Sequence, residues 1–278
     1  MKVSIRQISE VSGFSPATVS NALNYKKGIN KDTARKILEI ANEMGYINER
    51  KISRIKLVIY KTNGLIIDNS PFFTNLLEGV ETECRESGYE MTLCNLDKSS
   101  DSFEQRIDEI LSDRTTAVIM LGTEAFDEDF ERFKHAKCPL VILDSWSSTM
   151  DFNGVLINNA DSVKNAVEYL IQKGHRDIGY LRGEFRIKAF TARAYGYKRA
   201  LSKHKISINK QYIVTLSTTM NGAYRDMISY LDQKPKLPTA FFADNDMIAL
   251  GVMKALIEKG YSIPEDISII GFDELRYC

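Results

Sequence analysis

Asn21 has the most informative chemical setting in this 278-residue sequence. It falls near the start of a short helical stretch, where its amide can form two parallel hydrogen bonds to one adenine edge. Pro16 and Ala17 share its exposed surface and would face neighbouring bases. The hydroxyls of Ser4, Thr18 and Ser20 suit phosphate oxygens, contacts that fix register without reading sequence. Ser15 and Asn24 bound the stretch and join the candidate DNA-contact set. A second group follows apolar runs: Asp144 after Val141-Ile142-Leu143, Asn245-Asp246 after Phe241-Phe242-Ala243, and Asp273 after Ile269-Ile270-Gly271-Phe272. Open α/β sheets bind ligands beyond the carboxyl ends of their strands, so these are candidate ligand contacts. The competing role for such an Asp is to cap the next helix, which is expected of Asp246.

Little else points to chemistry. His135, His175 and His204 are far apart and lie in no motif, with His175 reading as a helix-to-strand turn residue. The sequence has no G-x-G-x-x-G, G-x-S-x-G, H-E-x-x-H or P-loop, so an enzyme is not expected. Cys84, Cys94, Cys138 and Cys278 form no C-x-x-C pair, which argues against a disulfide framework, a zinc site or any cofactor held by cysteine, and suits a reducing cytoplasm. No apolar run is long enough to cross a bilayer, and the polar N-terminus does not read as an export signal.

Three short helices must position Asn21. Ser4-Ile5-Arg6-Gln7 is a capping box that starts the first helix at Ile5. Ile5, Ile8 and Val11 keep an apolar spacing until Gly13 allows a tight turn. Ser15-Pro16 sets an N-cap before a proline at the first helical position, and Val19 and Leu23 give the second helix, about Pro16 to Asn24, its buried side. After Lys26-Lys27-Gly28, Asn30 caps a third helix whose stripe runs through Ala34, Ile37, Leu38, Ala41 and Met44 to Gly45. The pattern alone also fits a three-helix bundle with no DNA partner. Charge separates along the chain: residues 1–56 hold 11 basic against 5 acidic side chains, and the remainder holds 26 against 32. A basic head on an acidic body is what a nucleic-acid contact at the head would produce.

From Leu57 onward, β-branched-rich runs alternate with amphipathic stretches, as in a doubly wound parallel sheet. Nine strands are expected, at Leu57–Tyr60, Tyr89–Cys94, Thr116–Leu121, Leu140–Leu143, Val155–Ile157, Ile178–Leu181, Ile213–Leu216, Ala240–Ala243 and Ile267–Gly271.

The run from Ile5 to Asn24, with Ala17-Thr18-Val19-Ser20 and Leu23-Asn24 at its centre, then Thr33-Ala34-Arg35 and Met44-Gly45-Tyr46, resembles the headpiece of the lactose/galactose repressor (LacI/GalR) family. The resemblance implies an N-terminal all-α helix-turn-helix headpiece, then an α/β periplasmic-binding-protein-like body of two doubly wound parallel-sheet subdomains. The expected divisions are headpiece 1–46, hinge or linker 47–56, first subdomain 57–158 and an incomplete second subdomain 159–278, with the crossover near Asn158-Asn159-Ala160. It also implies a homodimeric repressor that binds a palindromic double-stranded DNA operator, with no membrane partner, metal or cofactor. A small-molecule effector, by default a carbohydrate, would switch it. Arg193-Ala194-Tyr195-Gly196-Tyr197 is similar to the family's R-x-x-G-[FW] helix. On that match Arg193, Asn245 and Asp273 would bond effector polar groups opposite Asp144, while Phe72, Phe73 and Trp146 would supply apolar faces. Phe72-Phe73 equally suits a core pair.

Several departures bear on that expectation. Asn48 replaces the family's hinge proline and no Ala-Arg pair follows, so Ile55, or else Ile52, would have to act as the minor-groove wedge; a plain basic linker is the equal alternative. Ile187 and Ala189 occupy the positions where purine-binding relatives carry Arg and Thr, which weakens a purine or nucleoside effector, with Lys188 as a partial substitute. Family members continue past Asp273-Glu274-Leu275-Arg276-Tyr277-Cys278, so a fragment, or a compromised cleft and dimer face, is expected. A DNA-binding regulator that has lost effector response, and a transport solute-binding protein, are the rival classes.

Overall fold

A computed structural model describes residues 3–23, 29–44, 46 and 52–275, and the chain divides into two compact units, Met1–Lys51 and Ile52–Cys278. Among its described residues the first unit holds three helices: α1 (Ile5–Ser12), α2 (Pro16–Leu23) and α3 (Lys31–Glu43). The capping box forms as expected, with the Ser4 amide donating to Gln7 Oε1 at 2.8 Å and the Gln7 amide to Ser4 Oγ at 3.3 Å. Gly13 ends α1 at φ 74°, a conformation that glycine adopts without a side-chain penalty. Asn30 Oδ1 accepts the Asp32 amide at 2.8 Å and starts α3. Ile8, Val19, Ala22, Leu23, Ile37 and Ala41 close the core where the three helices meet. Asn24, the Lys26-Lys27-Gly28 break, Gly45 and linker residues 47–51 lie outside the described residues.

The second unit is an alternating α/β chain carrying two parallel sheets. Its first half contains β1 (Arg54–Lys61), α4 (Phe72–Glu86), β2 (Glu90–Asp97), α5 (Phe103–Ser112), β3 (Thr116–Leu121), α6 (Phe130–Phe133), β4 (Leu140–Leu143) and β5 (Gly154–Val155). These strands pair in the order β2-β1-β3-β4-β5. The second half contains α7 (Asn159–Gln172), β6 (Ile178–Gly183), α8 (Lys188–Lys203), β7 (Ile213–Leu216), α9 (Met220–Asp232), β8 (Ala240–Ala243), α10 (Asp246–Glu258) and β9 (Ser268–Ile270), with sheet order β7-β6-β8-β9. All nine expected strands are present, with shifts at their ends.

Parallel strands are covered on both faces, which is why they read as continuous apolar runs rather than alternating ones. All four residues of β8 are buried: Phe241 and Ala243 pack toward α9 and α10, while Ala240 and Phe242 join Tyr180, Val163, Val167 and Tyr197 on the opposite face. In the first sheet Val58, Tyr60, Val118 and Met120 meet Ile107 and Phe130.

One boundary differs in a way that changes a site assignment. β1 begins at Arg54 rather than Leu57, since Arg54, Ile55 and Lys56 pair with Glu90, Met91 and Thr92 on one side and with Thr116, Ala117 and Val118 on the other. Ile55 is therefore a half-buried strand residue and not a hinge wedge. Its backbone is held in a sheet interior, so it is not on a segment that can enter a groove. The basic residues around it had masked a strand that is central, with partners on both sides.

A candidate DNA-contact face and a ligand cleft

In the headpiece, the buried side of α2 is Val19, Ala22 and Leu23. This leaves Ser15, Pro16 and Ala17 exposed, with Thr18, Ser20 and Asn21 half-buried beside them. Ser15 starts the helix as predicted: its Oγ accepts the Thr18 amide at 3.1 Å and lies 2.9 Å from Thr18 Oγ1. Ser4 is exposed and engaged in its capping box. The face is thus small and polar, with its backbone set by side-chain caps and its width matched to one helix in a major groove.

In the body, the predicted ligand residues converge although they are spread over some 200 positions. A narrow cleft lies between the two sheets. Ile66, Ser70, Phe72, Phe73, Thr123 and Asp144 line it from the first half, with Ile157 at the crossover. Ile187, Phe190, Arg193, Asn245 and Asp273 line it from the second half. Most follow the carboxyl ends of strands, where the polar ends of the sheet are left for a ligand.

Arg193 is only 5% exposed and has fixed partners. Its Nε donates to Asn159 Oδ1 at 2.8 Å and its Nη1 to the Asp244 carbonyl at 2.6 Å, with Asp273 Oδ1 at 3.5 Å. The guanidinium lies 3.6 Å from the centre of the Phe272 ring, a cation–π contact strengthened by burial. Burial pushes Asp273 up to about 7, against the pull of Arg193. Burial also raises Asp144, while the Thr123 hydroxyl donating to its Oδ2 at 2.7 Å opposes this. Both carboxylate residues sit at positive φ, 57° for Asp144 and 112° for Asp273. Non-glycine residues hold such conformations only where the surroundings over-determine them, often at binding sites.

Asn245, not Asp246, caps α10: its Oδ1 accepts the Ile248 amide at 3.1 Å. Asp246 instead turns back, its Oδ2 accepting the Leu275 amide at 2.9 Å and its own amide donating to the Phe272 carbonyl at 2.9 Å. The extended backbone of Asn245, φ −155°, is what places its oxygen over the first turn. Phe72 and Phe73 form an edge-to-face pair 5.2 Å apart at the cleft wall. Trp146 is half-buried and not among the lining residues, because the Lys188 ammonium occupies its ring face at 4.9 Å and also bonds its carbonyl. Lys188 is thereby engaged outside the lining residues. Its Nζ reaches Asp127 Oδ1 at 2.6 Å, across from the other half of the body.

Several contributors were not singled out by sequence. Thr123 follows β3 directly, so the rule that found Asp144 also reaches it. Phe190 lies one turn before Arg193 on α8. Glu124 gave no signal: it is fully buried, and its Oε2 accepts the amides of Thr62, Asn63 and Gly64 while its Oε1 accepts those of Ile66 and Ile67, at 2.9–3.2 Å. One carboxylate thereby shapes the loop that brings Ile66 and Ser70 to the cleft. Asp244 is likewise fully buried, accepting the Gly183 amide at 2.9 Å and bonding Arg186 and the Tyr180 hydroxyl. No group of metal-binding side chains occurs among the described residues, and no described helix is long and apolar enough to cross a membrane.

Residues 4–49 match the family described as "Bacterial regulatory proteins, lacI family", and residues 167–278 match a "Periplasmic binding protein-like domain". The chain is 28% identical over 275 residues to the HTH-type transcriptional repressor PurR of Actinobacillus pleuropneumoniae serotype 3, covering 98% of this chain and 81% of that protein. It is 29% identical to the ribose operon repressor of Haemophilus influenzae, covering 98% and 82% of the two. The crystal structure of the Escherichia coli transcriptional repressor ascG superposes with a TM-score of 0.67 at 28% identity, over 80% of this chain and 79% of that one. The chain thus carries a helix-turn-helix domain of the lacI family of bacterial regulatory proteins, followed in sequence by a periplasmic binding protein-like domain.

Proposed function

We propose that this chain is a sequence-specific DNA-binding transcription regulator, a repressor whose hold on a palindromic operator is set by a small molecule in the cleft of its body. The carrying observation is the exposed first turn of α2, where Ser15, Pro16 and Ala17 face solvent with Asn21 beside them on a helix-turn-helix core. A homodimer places two such helices on successive major-groove faces of a duplex, which is what a palindrome requires. The protein acts in the cytoplasm and performs no catalysis.

For the effector, a sugar or glycoside fits best. Carboxylates, an amide and one guanidinium surround a cleft with an aromatic pair on its wall, the combination that binds hydroxyls and ring faces. The resemblance to a ribose operon repressor supports this choice. A purine or nucleoside effector is the second reading, supported by the likeness to PurR repressors. Against it, Ile187 and Ala189 are buried and apolar where polar contacts would be needed.

Selection of binding sites from random duplexes tests the DNA reading. The wild-type chain should enrich a pseudo-palindrome, and Asn21→Ala should relax preference at one position per half-site, at a loss of about 1–3 kcal/mol. Unchanged specificity would remove Asn21 as the base reader. Titrating the selected duplex at fixed salt against a sugar and nucleoside panel then tests the switch.

A further inference from the structure

We propose that the cleft selects an uncharged ligand over its phosphorylated counterpart, because the described cations at or beside the cleft, Arg193, Arg186 and Lys188, are each already paired with an internal carboxylate. The proposal rests on the ligand-responsive reading above and specifies the ligand class of that same site. Arg193 is the single cation among the lining residues, and it carries Asp273, Asn159 and the Asp244 carbonyl. Arg186, seven residues earlier, is bound to the fully buried Asp244 carboxylate and also donates to the Phe190 carbonyl at 2.5 Å. Lys188, next to the lining residue Ile187, is 13% exposed and bonds Asp127 and the Trp146 carbonyl. Asp144 adds a carboxylate that forms no ion pair among the described residues.

A phosphate entering this cleft has to displace a buried carboxylate from its cation or lie against Asp144. Both are unfavourable, since an unpaired buried charge is far more costly than an unmade neutral contact. A polyhydroxylated neutral ligand meets no such barrier. It donates to Asp144 and Asp273 and accepts from the Asn245 amide, whose oxygen is occupied by the α10 cap. Asp127 is the accessible handle on this arrangement. Its side chain is 41% exposed and is not among the lining residues, so removing its charge frees the Lys188 ammonium without emptying the cleft wall.

The test is calorimetric titration of the full chain with matched pairs: D-ribose and its 5-phosphate, D-glucose and its 6-phosphate, inosine and its 5′-monophosphate. In the wild type the neutral member of a pair should bind at least about tenfold more tightly than the phosphorylated one. Asp127→Asn should narrow that gap by strengthening phosphate binding, and the double variant Asp127→Asn/Lys188→Met should restore it. Equal or tighter binding of the phosphorylated member by the wild type overturns the proposal. A gap that Asp127→Asn leaves unchanged, in protein with a cooperative thermal transition, overturns the assignment to pre-paired cations. If Asp127→Asn does not fold, Asp127→Ser makes the same comparison. Binding of neither member of any pair refutes the ligand-responsive reading itself, an outcome separate from a reversed preference.

Discussion

Asp273 is the residue whose environment has the clearest consequence in solution. Its carboxyl is raised from 3.8 to about 7 by burial, so between these values the folded chain holds a proton that the unfolded chain releases. The stability this contributes is complete below about pH 4 and is lost as pH rises through 7. Asp127 and Glu168 act oppositely. Hydrogen bonds and ion pairs with Lys188 and Lys203 hold them down at about 2, so their contribution is present above about pH 4.5 and disappears as pH falls through 2. The wild-type denaturation midpoint should therefore fall between pH 5 and pH 8, and Asp273→Asn, which cannot titrate, should flatten that decline. A variant with the same slope as the wild type would show that Asp273 is not the group responsible. Arg193, 3.5 Å from Asp273 Oδ1, opposes this rise without cancelling the effect of burial.

At the scale of elements, the packing of α7 on α8 determines where Arg193 can reach. Gly196 lies where a Cβ would run into the Ala160 carbonyl and crowd Val163. The absent side chain lets α8 approach closely enough for Arg193 to meet Asn159 at the start of α7. Gly196→Ala should gain up to about 1 kcal/mol of helix propensity. Overpacking against a backbone carbonyl costs about 1–3 kcal/mol, because that group cannot rotate away, so the net effect should be destabilising. Denaturant titration of the body measures it, and a midpoint that rises would show that α7 and α8 can separate freely. The R-x-x-G spacing thus joins a cleft-lining residue to the packing that positions it. The chain entry into α10 works similarly: Asn245 supplies the cap and Asp246 anchors Leu275. Both side chains of one dipeptide are used structurally at the mouth of the cleft.

For the whole molecule, the two units differ greatly in the size of core available. Among the described residues the headpiece closes on six buried apolar side chains, whereas the body has extensive cores on each sheet. Small domains bury a lower fraction of their surface and are correspondingly marginal. Scanning calorimetry should resolve a weaker headpiece transition from a stronger body transition. Duplex carrying the selected operator should raise the first, and a ligand of the cleft should raise the second. A single transition shifted equally by both additions would contradict independent units. Since residues 1–56 carry the basic excess and the remainder is acidic, operator affinity should also fall steeply with salt.

Local patterns determined much of this protein from the sequence by itself. Ser4, Gly13, Ser15-Pro16 and Asn30 act over one helical turn, so the headpiece helices and their caps follow from neighbours only. The strands were legible because parallel sheets bury both faces and leave unbroken apolar runs, and the residues after those runs located Asp144, Asn245 and Asp273. Tertiary structure decided what depends on partners distant in the chain. The extent of β1, and with it the removal of Ile55 from the hinge, comes from pairing with β2 and β3. Glu124 and Asp244 look like ordinary surface acids until five loop amides and Arg186 surround them. Lys188 could have faced the cleft; Asp127 and Trp146, 61 and 42 residues away, turn it elsewhere. The physical reason is the same throughout: caps and periodicity are satisfied locally, whereas the pairing of a buried charge depends on which distant group the fold brings beside it.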